Sequence, residues 1–388
     1  MKKVCVITGT RADYGLLRPL IEKINDDDEL QLQLIATGMH LSPEFGLTYK
    51  EIEDDGYKID EKIEMLLSSD TPVGISKSMG LAMISFSESF ERLKPDMVVV
   101  LGDRYEIFSA ASAAMIARIP IAHIHGGETT KGAFDEAFRH SITKMSHIHF
   151  TSTEAYKKRI IQLGEDPKRV FNVGAIGIES IRNLNLLKKA ELEKSINFKI
   201  DSKAALVTFH PVTLENNTSI DQFQELLNAL NQFKDLKIIF TKANSDIDGR
   251  IINSMIDDYV EKNKNNTIAF TSLGQLRYLS TMQYVDLVIG NSSSGIIEAP
   301  SFKIPTINIG DRQKGRIQGE TIINCDPIEE EIYKAINFGL SNDFKEKIKH
   351  SRNPYGVGNV TKRIIDEIKT LFLSGSIDIK KKFYDIEF

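Results

Sequence analysis

The sequence of 388 residues is poor in cysteine, with only Cys5 and Cys325. Two thiols in apolar, strand-like surroundings supply neither a disulfide framework nor a four-ligand metal site, so the chain is expected in a reducing compartment, the cytoplasm. Long apolar runs are missing as well. No stretch approaches the roughly 20 residues of a membrane span, and Val4-Cys5-Val6-Ile7 after Met1-Lys2-Lys3 is too short for a secretory signal. Positive charge is not in excess: the net charge is -5, whereas a protein that tracks nucleic acid needs a basic face to displace counterions. Gly-x-Gly-x-x-Gly and P-loop runs are absent, which argues against NAD and ATP. A His-x-x-x-His helical pair is absent too, which argues against a metal. Neither repeats shorter than a domain nor low-complexity tracts occur.

What remains is a 41% hydrophobic, 27% charged chain, the composition of a soluble globular protein with room for two domains. Its N-terminal half alternates short β-rich runs at 4–8, 32–36, 97–101, 119–124 and 148–151 with stretches of helical spacing at 14–24, 76–93, 106–117, 135–144 and 154–163. The second half repeats the pattern, with strands expected at 204–209, 236–241, 267–270, 285–289 and 306–309. This alternation predicts an α/β fold of two Rossmann-like, doubly wound domains facing across a cleft, where open parallel sheets bind ligands at their carboxyl ends. The boundary is placed near Gly177, giving domains 1–176 and 177–388. A long helix from about residue 361 and a tail ending in Phe383-Tyr384 are expected to pack back on the first domain. The neighbouring Lys380, Lys381 and Lys382 read as a solvated face.

The chain is organised around residues 284–298. The apolar run 285–289 reads as a buried strand that Gly290-Asn291-Ser292-Ser293-Ser294-Gly295 cannot continue. Ser292 or Ser293 then caps a helix starting near Ser294, whose free N–H groups and dipole form a seat for a phosphate, with Glu298 close enough to accept from a sugar hydroxyl. The alternative is an ordinary turn whose serines only cap.

The other strand tips carry polar groups too. Thr8-Gly9-Thr10-Arg11-Ala12-Asp13-Tyr14 places Arg11 at a helix start, to reach an anion or to pair with a nearby carboxylate. Gly102-Asp103-Arg104 puts Asp103 at a central strand tip, where burial raises a carboxyl toward the range useful for proton transfer, unless it caps the next helix. His123-Ile124-His125-Gly126-Gly127-Glu128 and Asp135 follow, with His123 read as a packed core residue. Asp103, Glu128 and Asp135 give enough carboxyls at one mouth for an acid and a base. His210, before Pro211, suits a phosphate oxygen or a leaving group, although a lone histidine is more often structural. Asp311-Arg312-Gln313-Lys314 brings cations toward Ser292, or forms a solvated loop.

Together with Thr37-Gly38-Met39-His40, Arg139-His140 and His210-Pro211-Val212-Thr213, these stretches span nearly the whole chain in order. In them the sequence resembles the UDP-N-acetylglucosamine 2-epimerase family, in its hydrolysing branch of sialic-acid synthesis. The resemblance implies the two-domain GT-B fold and conversion of UDP-N-acetylglucosamine and water to N-acetylmannosamine and UDP, without metal or redox cofactor. It places nucleotide-binding roles on Arg11, His210, Asn244, Ser292, Ser293, Glu298 and Arg312, and acid and base roles on Asp103 and Asp135. Some members of the branch have Glu where this chain has His125, so Glu128 competes for that catalytic role. His125 and Arg104 are then expected to contact substrate. The resembling enzymes often pair through the N-terminal domain, which implies a homo-oligomer, a dimer or a tetramer. A UDP-sugar with an added 4-acetamido group is the alternative substrate, and a non-hydrolysing epimerase or a GT-B glycosyltransferase the alternative activities.

Overall fold

The computed structural model describes residues 1–67, 69, 71–129, 135–211, 218–243, 249–356, 358–375 and 377–386. Its first sheet contains β1 (Lys2–Thr8), β2 (Leu30–Thr37), β3 (Glu61–Ile63), β4 (Met97–Leu101), β5 (Ile121–Ile124), β6 (Ile148–Thr151) and β7 (Val170–Asn172). Its second contains β8 (Ala204–Thr208), β9 (Lys237–Thr241), β10 (Thr267–Phe270), β11 (Leu287–Gly290), β12 (Thr306–Ile309) and β13 (Ile322–Cys325). The spatial orders are β3-β2-β1-β4-β5-β6-β7 and β10-β9-β8-β11-β12-β13. All ladders are parallel. Both sheets are therefore doubly wound, as expected, and each reverses its winding once: between β1 and β4, and between β8 and β11. At such a reversal the flanking loops diverge and leave a crevice beyond the strand tips.

Two compact units follow from this arrangement. The first takes in Met1–Glu128, Asp135–Ser180 and Tyr355–Phe388, and the second Ile181–Pro354 with Thr129. In the first, Val4, Val6, Met97 and Val99 are fully buried, since helices cover both faces of a parallel sheet and select unbroken apolar runs. The helix Arg11–Asn25 lays Leu17, Leu20, Ile21 and Ile24 into the same core as Ile364 and Ile368 of the helix Val360–Leu373. Spacings of three and four put each set on one helix face. The core of the second unit forms around Val207, Phe209, Phe223, Phe240, Ile289 and Ile307.

The expected strands lie within two residues of the observed ones. The edge strands β3, β7 and β13 escaped notice because three or four partly exposed residues carry too little periodicity to read. The tail differs from expectation in one respect. Lys381 is not a solvated side chain: its Nζ donates to the carbonyls of Lys144 at 2.8 Å and Ser146 at 2.5 Å, and pairs with Glu165 at 2.7 Å. It thereby caps the carboxyl end of the helix Asp135–Met145, where a cation meets orphan carbonyls.

Gly290 shows how closely the second reversal is built. Its φ is +131°, and a Cβ there would overlap the carbonyl of Thr208, its partner across the β8–β11 ladder. Gly290→Ala should therefore cost about 2 kcal/mol or more and lower the melting temperature by several degrees in thermal denaturation. An unchanged melting temperature would contradict this packing.

Candidate active site

In the first unit the crevice between β1 and β4 is lined by the turns that leave those strands. Thr10 caps the helix Arg11–Asn25, its Oγ1 accepting from the Asp13 N–H at 3.1 Å, which fixes Asp13 in the first helical turn. Arg11 is ion-paired with Glu51, the pairing that a structural role would give it. After β4, Gly102 turns with φ +75° and the chain enters the helix Tyr105–Ile116 with Arg104, not Asp103, at the cap position. The capping alternative for Asp103 is thus overturned, and its carboxylate is paired instead with Arg139, a side chain only 3% exposed. Arg139 comes from the helix Asp135–Met145 and also holds Glu136 at 3.2 Å. Asp135 opens that helix.

Sequence reasoning missed two further carboxyls at this crevice. Glu106 is 1% exposed, takes the Arg104 Nε at 2.6 Å and lies under Gly9, where a Cβ would come within 2.6 Å of its Oε1. The buried Oε2 of Glu106 and the buried Oδ2 of Asp13 have no hydrogen-bond partner among the described residues. Burial pushes the Asp13 carboxyl up to about 6, with Glu106 and Asp103 adding to the rise and Arg104 and the Thr10 hydroxyl opposing it. The pattern that could have revealed them is the polar run at each strand tip, Thr10 to Asp13 and Asp103 to Glu106.

The histidines of this unit serve mainly to hold the turns. His123 is fully buried, as expected, with Nε2–H donating to Gly102 O at 2.7 Å and Nδ1 accepting from the Thr143 hydroxyl at 3.2 Å. Burial keeps it neutral by lowering its pKa to about 3. His40 bridges the Thr8 and Thr48 hydroxyls at 3.0 and 2.8 Å. His125 turns with φ +66°, and its Nε2 accepts from the Ile176 N–H at 3.2 Å. That leaves Nδ1–H facing Glu128 Oε1 at 3.6 Å, too far for a hydrogen bond. Glu128, 2% exposed, accepts from the Ser152 hydroxyl at 2.8 Å.

In the second unit the reversal between β8 and β11 gathers His210, Asn291, Ser292 and Arg312. Asn291 joins the two strand tips: its Oδ1 accepts from the His210 N–H at 2.7 Å and its Nδ2 donates to His210 O at 2.8 Å. Gln313 Nε2 and Arg312 Nη1 donate to Asn291 O at 2.7 and 3.3 Å. The Ser292 side chain caps the helix beginning at Ser293, but that helix, Ser293–Ile297, has only five residues. The expected dipole seat is corrected accordingly: so short a helix sums few peptide dipoles, and Ser292 and Ser293 offer hydroxyls and N–H groups rather than a macrodipole. Glu298 follows at the cap of its carboxyl end. Asn244, Val212 and Thr213 lie outside the described residues. Among the described residues no cluster of three or more His, Cys, Asp or Glu side chains is arranged to hold a metal, and no helix is long and apolar enough to cross a membrane.

Comparison with known proteins identifies a family. Residues 22–369 match the family model described as UDP-N-acetylglucosamine 2-epimerase. A Campylobacter jejuni protein named GDP/UDP-N,N'-diacetylbacillosamine 2-epimerase (hydrolyzing) is 51% identical over 84% of this chain and 84% of its own. The polysialic acid biosynthesis protein P7 of Escherichia coli is 41% identical over 100% of this chain and 98% of its own. The crystal structure of UDP-GlcNAc 2-epimerase from Neisseria meningitidis bound to UDP-GlcNAc superposes with a TM-score of 0.79 at 19% identity, covering 95% of this chain and 100% of that one. The fold is therefore of the GT-B type.

The position of Asp13 has a consequence for stability. Its folded carboxyl keeps a proton up to about pH 6, while the unfolded one loses it near the ordinary 3.8. Between those values the native state binds more protons, so stability falls as pH rises. Asp13→Asn, which cannot ionise, should melt with the wild type at pH 4 or below and about 2 °C or more above it at pH 7. Equal melting temperatures at both pH values would show that the buried charge carries no cost.

Proposed function

The chain belongs to the UDP-N-acetylglucosamine 2-epimerase family, and on that premise we propose that it is a hydrolysing 2-epimerase, releasing a 2-acetamido sugar of inverted C2 configuration and UDP. The observation that carries this reading is the carboxyl-rich crevice at the β1–β4 reversal, with Asp103 held by Arg139. The C2–H of the sugar is not next to a carbonyl, so its removal needs help from the leaving group. Arg11, His210, Arg312 and the Ser292 and Ser293 turn take the diphosphate, and Glu298 and Asn244 contribute to nucleotide binding. As UDP departs, positive charge grows at C1 and acidifies C2–H.

A carboxylate of the first unit, Asp103 foremost among Asp103, Glu128 and Asp135, then takes that proton and leaves a 2-acetamidoglucal. Water adds to C1, and protonation of C2 on the opposite face gives the manno sugar. Arg104 and His125 are assigned to substrate contacts. The sugar is read as UDP-N-acetylglucosamine, which makes the reaction the first step of sialic-acid synthesis. The relative of 51% identity, named for GDP/UDP-N,N'-diacetylbacillosamine, favours a second reading, the UDP-linked form of that sugar with the same chemistry. Turnover on the two sugars decides, and the preferred one should exceed the other by about tenfold or more in kcat/KM.

In deuterated water, proton NMR should show a free, C2-inverted sugar carrying deuterium at C2, with UDP released alongside. A product still bound to UDP would indicate a non-hydrolysing epimerase, and no product with water alone a glycosyltransferase. Asp103→Asn should lower kcat by about 100-fold or more while UDP affinity changes little. Near-normal turnover in that variant would remove Asp103 from the chemistry.

A further inference from the structure

The carboxyls described at the β1–β4 reversal are held differently. Asp13, Asp103 and Glu106 lie near the guanidinium groups of Arg104 and Arg139. Asp103 is paired with Arg139, and Glu106 with Arg104 at 2.6 Å. Asp13 has a buried Oδ2 with no hydrogen-bond partner among the described residues. It also stands on a different element. Asp13 comes from the helix after β1 and Asp103 from the turn after β4, and these strands are neighbours, in register from Val4↔Met97 to Val6↔Val99. The two carboxyls thus come from opposite banks of one crevice.

Epimerisation at C2 needs two such groups, one to take a proton from one face and one to return a proton to the other. We propose that Asp13 is the acid of the rehydration step, protonating C2 of the glycal on the face opposite to the base Asp103. The inference rests on the hydrolysing-epimerase reading above.

In elimination the C2–H bond breaks and its proton passes to Asp103, while the C1–O bond breaks with its electron pair leaving on UDP. In rehydration the Asp13 O–H bond breaks and its proton forms the new C2–H bond. Water bonds C1 through its oxygen and loses a proton to solvent, which matches the extra negative charge of free UDP. Asp103 then releases its proton to solvent and Asp13 regains one.

The groups facing Asp13 suit it to hold that proton. Burial, Glu106 and Asp103 raise its affinity, Arg104 and the Thr10 hydroxyl lower it, and the balance lies upward. Bound diphosphate adds negative charge and pushes the same way. The environments of the two carboxyls differ: Asp103 is ion-paired with Arg139, whereas Asp13 is raised by burial despite the nearby Arg104.

The test is Asp13→Asn incubated with the UDP-sugar in deuterated water and followed by NMR. UDP release should persist, with free 2-acetamidoglucal accumulating and the C2-inverted sugar formed about 100-fold more slowly or less. Supplied with the glycal directly, the wild type should hydrate it and the variant should not, while Asp13→Glu should recover part of the rate. Deuterated product from Asp13→Asn at near wild-type rate would overturn the assignment, as would loss of UDP release together with product, which would place Asp13 in elimination. Should Asp13→Asn fail to fold, hydration of the glycal by the wild type decides: its rate should fall as pH rises through about 6, and a flat profile would overturn the proposal. Failure of the wild type to form any C2-inverted sugar from either UDP-sugar would instead sink the epimerase reading itself.

Discussion

At the carboxyl ends of β1 and β4 the first unit draws three carboxyls, Asp13, Asp103 and Glu106, wholly or largely out of water around Arg104 and Arg139. A carboxylate removed from water must find a cation, accept hydrogen bonds or keep its proton. Asp103 and Glu106 take the first course with Arg139 and Arg104, and Asp13, raised to about 6, takes the third below that pH. Much around them serves this arrangement. Gly9 has no side chain because Glu106 occupies the space, and His123, neutral and fully buried, ties the Gly102 turn that delivers Asp103. Even the C-terminal tail contributes at a distance, since Lys381 closes the end of the helix that supplies Arg139.

The second unit solves a different problem with neutral groups. Its reversal is held by one amide side chain, Asn291, which satisfies both backbone groups of His210 and passes its own carbonyl to Gln313 and Arg312. Buried amides paired in this way fix geometry without adding charge.

Much of this was legible in the sequence and some was not. Alternating apolar and helical runs disclosed both sheets, because central parallel strands must be apolar on both faces. The polar residues at strand tips disclosed Asp103, His210, Ser292 and Arg312, since a Gly-polar run after a buried strand has to turn. What stayed hidden depends on distant pairs. Nothing near Asp103 in sequence announces Arg139, and the upward shift of Asp13 arises first from burial, with Glu106 and Asp103, about ninety positions away, adding to it. The helix after Ser292 looked able to run on through Glu298, but it stops at five residues and gives way to the tight turn Ala299–Phe302, which contains Pro300. Asn291 read as one polar residue of a loop, for its two hydrogen bonds exist only once β8 lies beside β11.

The central claim is that burial at the first reversal raises the Asp13 carboxyl well above its ordinary range. Its most direct measurement is the titration of aspartate side chains by carbon-13 NMR, with the Asp13 signal identified by its absence from Asp13→Asn. A midpoint near pH 6 is the predicted result. A midpoint near the ordinary aspartate value of about 3.9 would contradict it, because Asp13 would then be as easily ionised as a carboxyl in water.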